Sequence, residues 1–415
     1  MPKHPVSRRS FLSTGLSFGA LAPLIAFSKN PRGDLWAPEG TEDDQWERIR
    51  AQFMTKPGVT YMNNASLGMP PAMVVDAVAN GYEMLSEHPL DAKHLLADQV
   101  QKDVLPELER FLGAQSSEII LTRNASEALH LAATSLALSS GDEVLITSQE
   151  HPAGRKPWRY RMARHGIIVT EVPIPSPFER DSDVVERMAA RITPRTKAIA
   201  FCHVTRGGHL YPVKQLAELA RERGLISIVD GAQAVGMLKV DFKELGCDAY
   251  AASLHKWILG PMGTGMLFIR KDRRDRFLSV FDEESTPSNP NYTPIGTADL
   301  PVKAALGDAL TFLNKIGIDT IEKRNRFLSD VLKSRLTETK NVKLLSGLTP
   351  KTSAPGSTIF EIANVDPVAE VARLEQEGIY IDEHARDGHQ ALRISTHFYN
   401  TIGEIERVVG VLGKR

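Results

Sequence analysis

The residues able to do chemistry stand at the ends of apolar runs. Lys256 lies in Ala251-Ala252-Ser253-Leu254-His255-Lys256-Trp257, directly after such a run. A lysine amine attacks an aldehyde to form a Schiff base once its surroundings suppress the protonated form; without such surroundings it is a solvated surface residue. Asp230 closes Leu225-Ile226-Ser227-Ile228-Val229. A carboxylate at the end of a buried strand is costly unless paired, and either a protonated ring nitrogen or the N–H groups of the following segment would pair it. Glu150-His151 follows the run 143–147 and offers an imidazole to a flat ring or to a structural hydrogen bond. Arg393 alternates with apolar neighbours in Ala391-Leu392-Arg393-Ile394-Ser395. Its fork suits a substrate carboxylate or an inward salt bridge equally. In Thr122-Arg123-Asn124-Ala125-Ser126-Glu127 a helix begins after a strand, where free N–H groups and the Ser126 hydroxyl suit an anion or serve as a cap. Ser253 and His255, beside Lys256, offer a hydroxyl and an imidazole to the same anion.

These residues need elements that collect strand ends. Strand candidates at 118–122, 143–147, 167–174, 198–203, 226–229, 249–252 and 265–269 alternate largely with helical patterns, among them 125–138, 155–165, 183–192 and 213–223. Such alternation predicts an α/β domain whose largely parallel sheet is covered on both faces, with sites gathered at the carboxyl edge. Helical patterns are also expected at 71–86 and 101–113. Residues 272–300 are irregular, two helical stretches run from 301 to 338, and the tail alternates short strands and helices as a smaller α+β lobe. The expected organisation is an N-terminal linker and helix over 29–58, a large lobe over 59–300, and connecting helices with a small lobe over 301–415.

Composition limits the partners. Lys+Arg 50 against Asp+Glu 51 gives a net charge of −1 with no long basic run, so nucleic acid is not an expected partner and a small molecule is. No metal is expected. The two cysteines, Cys202 and Cys247, lie in apolar surroundings and are expected to be buried free thiols. Residues 1–28 stand apart: Ser7-Arg8-Arg9-Ser10-Phe11-Leu12 is a twin-arginine pattern, an uncharged apolar stretch follows, and Ala26-Phe27-Ser28 supplies small residues for cleavage. The reading is a Tat export signal, engagement of the Tat machinery, a periplasmic address and no stable membrane insertion after cleavage.

Taken in order, the anion turn, the histidine, the strand-end Asp230 with Gln233 three residues later, Ser253-Leu254-His255-Lys256 and the late Arg393 resemble the class V aminotransferase family of fold type I pyridoxal-phosphate enzymes. Within it, Tyr61-Met62-Asn63-Asn64-Ala65-Ser66-Leu67-Gly68 and His203-Val204-Thr205 are similar to the isopenicillin N epimerase and cysteine desulfurase branch. The resemblance implies pyridoxal 5'-phosphate held covalently by Lys256, with Asp230 on the pyridinium nitrogen, Gln233 on the phenolic oxygen and His151 stacked on the ring. Ala125, Ser126, Ser253 and His255 would hold the phosphate, and Gly296-Thr297 would reach it across the interface of a homodimer. Arg393, with Asn64, would bind the substrate.

The implied activity is chemistry at the α-carbon of an amino acid or of an amino-acid unit in a peptide: epimerisation or transamination. A carbon–sulfur β-lyase and a non-catalytic cofactor-binding protein are the alternatives. Exported relatives that finish siderophore peptides are the precedent for a periplasmic role. Two departures from the family pattern matter. Glu383-His384-Ala385-Arg386-Asp387-Gly388-His389-Gln390 lacks the nucleophilic cysteine of the desulfurases, and Arg206 follows Thr205 where many relatives have asparagine, so that Arg206 either meets an acidic substrate group or lies on the surface. Replacing Arg8 and Arg9 together by lysine is expected to leave the protein in the cytoplasm, as read by cell fractionation; continued export would refute the signal.

Overall fold

The computed structural model describes residues 41–281, 292, 296–347 and 349–414. The export segment, and most of the irregular stretch from 282 to 295, lie outside these residues. The strands are β1 Thr60–Tyr61, β2 Ile119–Thr122, β3 Glu143–Thr147, β4 Ile168–Val172, β5 Thr196–Cys202, β6 Ile226–Asp230, β7 Ala249–Ser253, β8 Gly265–Ile269, β9 Val342–Leu344, β10 Ser357–Ile362, β11 Ile379–Tyr380, β12 Asp382–His384 and β13 Ala391–Ser395.

The large sheet has the order β2-β8-β7-β6-β5-β3-β4. Pairings from β7 through β6, β5 and β3 to β4 are parallel, while β8 runs against both β7 and β2. The mixed α/β class read from the alternation is the observed one. Strand side chains alternate between faces, and the burial follows that period. Leu145, Ile199, Phe201, Val229, Tyr250 and Phe268 join one apolar cluster. Val144, Ile146, Ala200, Ile228, Ala251 and Leu267 join another. Each face is therefore covered, which is why the central strands read as continuous apolar runs.

Polar residues inside this sheet are compensated. Glu143 accepts hydrogen bonds from the hydroxyls of Thr170, Thr193 and Thr196. Asp248 accepts from the N–H and hydroxyl of Ser227 and pairs with Arg270 and Arg273. Such satisfaction is required of buried polar atoms.

A second sheet, β12-β13-β10-β9, forms the smaller lobe. Leu328, Leu332 and Leu336 of helix Ile318–Glu338, and Ile405, Val408 and Leu412 of helix Ile402–Leu412, pack on its Phe360, Leu392 and Ile394. The boundary differs from the expected one at residue 59. β1 pairs in parallel with β11, Asn63 bridges to Ser395, and Met62 is buried in the small-lobe cluster. The chain then crosses to the large lobe, where the Gly68 N–H donates to the His255 carbonyl at 2.9 Å.

The expected helix at 101–113 is also different. A helix Pro89–Gln99, absent from the sequence reading, runs into a π turn at Val100–Val104 and then into helix Leu105–Phe111. Pro106 cannot donate into the α ladder, and just before it the ladder widens, the Leu105 N–H reaching back to the Val100 carbonyl. No described helix is long and apolar enough to cross a membrane.

Gly231, immediately after β6, shows how tightly the strand ends are packed. A Cβ there would lie 1.9 Å from the Tyr250 ring, whose hydroxyl shares a 2.8 Å hydrogen bond with His203 Nδ1. Gly231→Ala is expected to destabilise the fold by about 1–3 kcal/mol through overpacking, seen as a lower denaturant midpoint; an unchanged midpoint would refute this packing.

Candidate active site

The parallel strands deliver their carboxyl ends to one edge of the large sheet. Cys202 of β5 pairs in register with Asp230 of β6, and Asp230 with Ala251 of β7. Ser253 ends β7, and the next residues turn tightly to present Lys256. That turn is held on several sides. Asn64 Nδ2 donates to the Lys256 carbonyl at 3.3 Å and Asn64 Oδ1 accepts from Tyr399 at 2.8 Å. Trp257, wholly buried, donates to Gln233 Oε1 at 2.8 Å, and His397 reaches the Trp257 carbonyl at 3.1 Å. A Cβ on Gly68 would sit 1.9 Å from the Lys256 carbonyl oxygen, so only glycine allows this approach.

The Lys256 amine makes no hydrogen bond among the described residues. Burial lowers its pKa to about 8, with Asp230 opposing the shift and Arg393 and Arg206 adding to it. Asp230 is itself raised by burial, against the pull of the Ala232 N–H and of Lys256. Ala232 donates to its Oδ1 at 3.0 Å. Its Oδ2 has no hydrogen-bond partner among the described residues.

Behind Asp230 lies a buried group that the sequence reading did not single out. Glu150, Cys202 and Asp230 bring their polar atoms within 4.8 Å of one another. Glu150 accepts from the Thr147 hydroxyl at 2.5 Å and from the Cys202 N–H and thiol at 3.1 Å each. Burial, then the nearby Asp230, raises the Glu150 carboxyl to about 7. The raised pKa means that a share of Glu150 stays protonated near neutrality, which lessens the like charge beside Asp230.

His151, opening onto the adjoining cavity, accepts the Ala153 N–H on Nδ1 at 3.1 Å. Its pKa falls to about 4 through burial and the positive charges of Lys256 and Arg386. It is therefore a neutral imidazole at pH 7 with its proton on Nε2, a form suited to lying on an aromatic ring.

At the anion end, Asn124 caps helix Ala125–Ser135 by accepting from Glu127. The Ala125 N–H donates to Ser253 Oγ at 3.0 Å, so these two expected phosphate ligands already touch. The exposed Ser126 hydroxyl has no hydrogen bond among the described residues. His255 Nδ1 contacts the Thr264 carbonyl at 3.0 Å and so carries a proton, leaving Nε2 as the free ring atom. Thr297 is exposed, and no described contact joins it to this group.

Arg393 is 2% exposed. Its Nη2 donates to Asp382 at 2.5 Å, Ser66 at 2.8 Å and Asn63 at 3.0 Å, while its Nε is buried without a partner among the described residues. Both readings of this residue thus coexist: an inward salt bridge occupies one corner of the fork and leaves another open. Arg206 is not a free surface residue. It donates to the same Asp382 oxygen at 3.2 Å and to the Glu383 carbonyl at 2.6 Å. Asn64 and Gln233 each make one donor and one acceptor contact to protein partners, Gln233 Nε2 donating to the Ala65 carbonyl at 2.8 Å. They brace the Lys256 turn, and each amide nitrogen keeps a second N–H. Asn63, Ser66 and Asp382 meet Arg393. Of these, Asn63 and Ser66 lie in the quoted 61–68 segment, but only the fold aims them.

Unpartnered groups mark what the site is built to take: the Lys256 amine for an aldehyde, Asp230 Oδ2 for a ring N–H, Ser126 beside a helix start for a phosphate, and Arg393 Nε for a carboxylate. Seen with the sheet order, these define a fold type I pyridoxal-phosphate enzyme, and pyridoxal 5'-phosphate fits the residues present. Residues 60–408 match the family model described as Aminotransferase class-V, and the chain belongs to that family. It is 32% identical to isopenicillin N epimerase of Amycolatopsis lactamdurans over 397 residues, covering 88% of this chain and 98% of that one. It is 30% identical to a probable cysteine desulfurase of Halalkalibacterium halodurans over 390 residues, covering 86% and 93%. The apo structure of cysteine desulfurase from Thermococcus onnurineus superposes with a TM-score of 0.79 at 24% identity, covering 91% and 99%, a likeness of fold. The protein is accordingly a pyridoxal-phosphate enzyme that acts on amino acids.

Only the neutral amine of Lys256 is a nucleophile, and its fraction rises as pH passes upward through its pKa. Covalent loading of cofactor-free protein with pyridoxal phosphate is expected to accelerate with pH and level off above about pH 8, and Lys256→Ala should abolish the visible absorbance of the bound cofactor. Acceleration that continues to an ordinary lysine pKa near 10.4 would refute the desolvation argument.

Proposed function

We propose that this enzyme moves the α-proton of an amino acid, or of an amino-acid unit in a secreted peptide, with epimerisation as the outcome. The observation that carries this reading is the unpaired Lys256 amine, held near pKa 8 with Asp230 and Arg393 as its charged neighbours. Bound pyridoxal phosphate supplies an electron sink for the carbon that loses its proton. Asp230 would offer its open oxygen to the ring nitrogen and so keep that nitrogen protonated. Neutral His151 would cover the ring without adding charge. Arg393 fixes the substrate carboxylate by charge-assisted hydrogen bonds, and Lys256 removes the α-proton as general base.

Sulfur transfer is the less favoured outcome. The segment 383–390 holds no cysteine. The Cys202 thiol is buried, donates to Glu150 and has its pKa raised well above the usual value, and burial raises Cys247 to about 12. Neither is a thiolate nucleophile near neutrality. The likeness to isopenicillin N epimerase supports proton transfer as the end of the reaction. The twin-arginine segment supports export and a substrate among secreted peptides, siderophores included. Gly296-Thr297 supports a homodimer in which the partner completes the phosphate site.

The test is mass spectrometry and chiral analysis of candidate amino acids and secreted peptides incubated with the cofactor-loaded enzyme in heavy water. Deuterium at an inverted α-carbon is expected, and Lys256→Ala should lose it. A keto product would establish transamination instead, and released pyruvate with sulfur would establish β-elimination.

A further inference from the structure

A cavity of about 720 Å³ opens beside His151, and its walls carry Arg155, Lys156, Arg159, Arg206 and Arg386 against the exposed-side acids Glu171 and Asp387. The remaining acid of the wall, Glu150, is raised to about 7 and turned toward Cys202. Part of this charge is already matched. Arg155 pairs with Glu171 at 3.3 Å and donates to the Ser148 carbonyl. Arg206 is tied to Asp382 and Glu383, and Asp387 faces His384 at 3.3 Å. Lys156, Arg159 and Arg386 have no hydrogen bond or ion pair from their side chains among the described residues. Lys156 and Arg159 are exposed, and Arg386 is half-buried near Arg206, Glu383, Asp387 and Asp382; a wall with this excess of cations attracts an anion.

The position of the cavity gives the anion its meaning. His151 belongs both to this wall and to the group around Lys256, whose charge it feels. Arg206 lines the cavity and shares Asp382 with Arg393. Arg393, the anchor for the α-carboxylate, does not line it. An amino acid seated with its α-carbon at Lys256 and its carboxylate on Arg393 would have this basic cavity available to its side chain. We infer that the cavity receives a second acidic group, so that the substrate is an amino acid or peptide unit with an acidic side chain. This inference rests on the α-carbon reading above. Arg386 and Lys156 come from different parts of the fold, the 383–390 segment and helix Pro152–His165, so the selectivity exists only in the folded protein.

The test compares L-glutamate with L-glutamine, and the dipeptide Glu-Ala with Gln-Ala, by titrating the visible absorbance of the cofactor-loaded protein. Calorimetric titration with glutarate, which has no amine, runs in parallel. The acidic member of each pair is expected to bind about tenfold more tightly, as charge-assisted contacts allow, and that advantage should shrink with added salt. Arg386→Ala, and Lys156→Ala with Arg159→Ala, should remove the advantage while leaving the glutamine response intact, which reports a folded site. An advantage confined to the dipeptides would identify a peptide as the source of the acid. Equal binding of acid and amide, or an advantage that survives both variants, overturns the inference and leaves the α-carbon reading standing. If no amine alters the absorbance, the α-carbon reading falls. Glutarate binding that is lost in Arg386→Ala would still support the anion cavity, and its absence would overturn it.

Discussion

Removing the Lys256 amine from water is the constraint on which the rest of the site depends. An ammonium in bulk solvent is no nucleophile, and desolvation is the first cause of its lowered pKa. That desolvation is built by backbone and side chains packed around the turn. Gly68 presses against the Lys256 carbonyl, Asn64 and Gln233 brace the turn, and Trp257 with His397 closes it from below. Residues that resemble ligands by type thereby also serve as supports, because a buried amide must satisfy its own donor and acceptor.

Placing several charges in the same dry space is the second demand. Asp230 and Glu150 are close enough that two full charges would be costly, and the rise in Glu150 lets one carboxylate stay charged beside the other. Arg393 and Arg206 are near neighbours of like sign, and Asp382 lies between them, taking a hydrogen bond from each. The Arg393 fork is already oriented by Asn63, Ser66 and Asp382, with its Nε unpartnered among the described residues. Orientation in advance reduces the entropy lost on binding.

The crossing of the chain between lobes makes this arrangement one unit. Residues 60–68 begin as a strand beside β11 and end on the His255 carbonyl. Arg393 rises from β13 in the small lobe, and Asp230 and Lys256 come from the large sheet. Arg393 and Lys256 are thus held by different lobes, with 60–68 as the strap that sets their spacing.

The sequence by itself determined the elements and the chemistry on offer. Apolar runs of strand length marked β3, β6, β7 and β8, because a covered parallel strand is apolar on both faces, and Asp230, Lys256 and Arg393 stood out because charged groups at such run ends or within them need partners. Local pattern could not report partners far away in the chain. Pro106 hid a π turn within a helical pattern, and Glu150 looked like a neighbour of His151 until β5 brought Cys202 against it. The uses of Asn64, Gln233 and Asp382 were likewise decided by tertiary structure, since a hydrogen bond is assigned by which groups meet in space. Sequence order names the groups, and only the packing of two lobes settles which ones remain free to react.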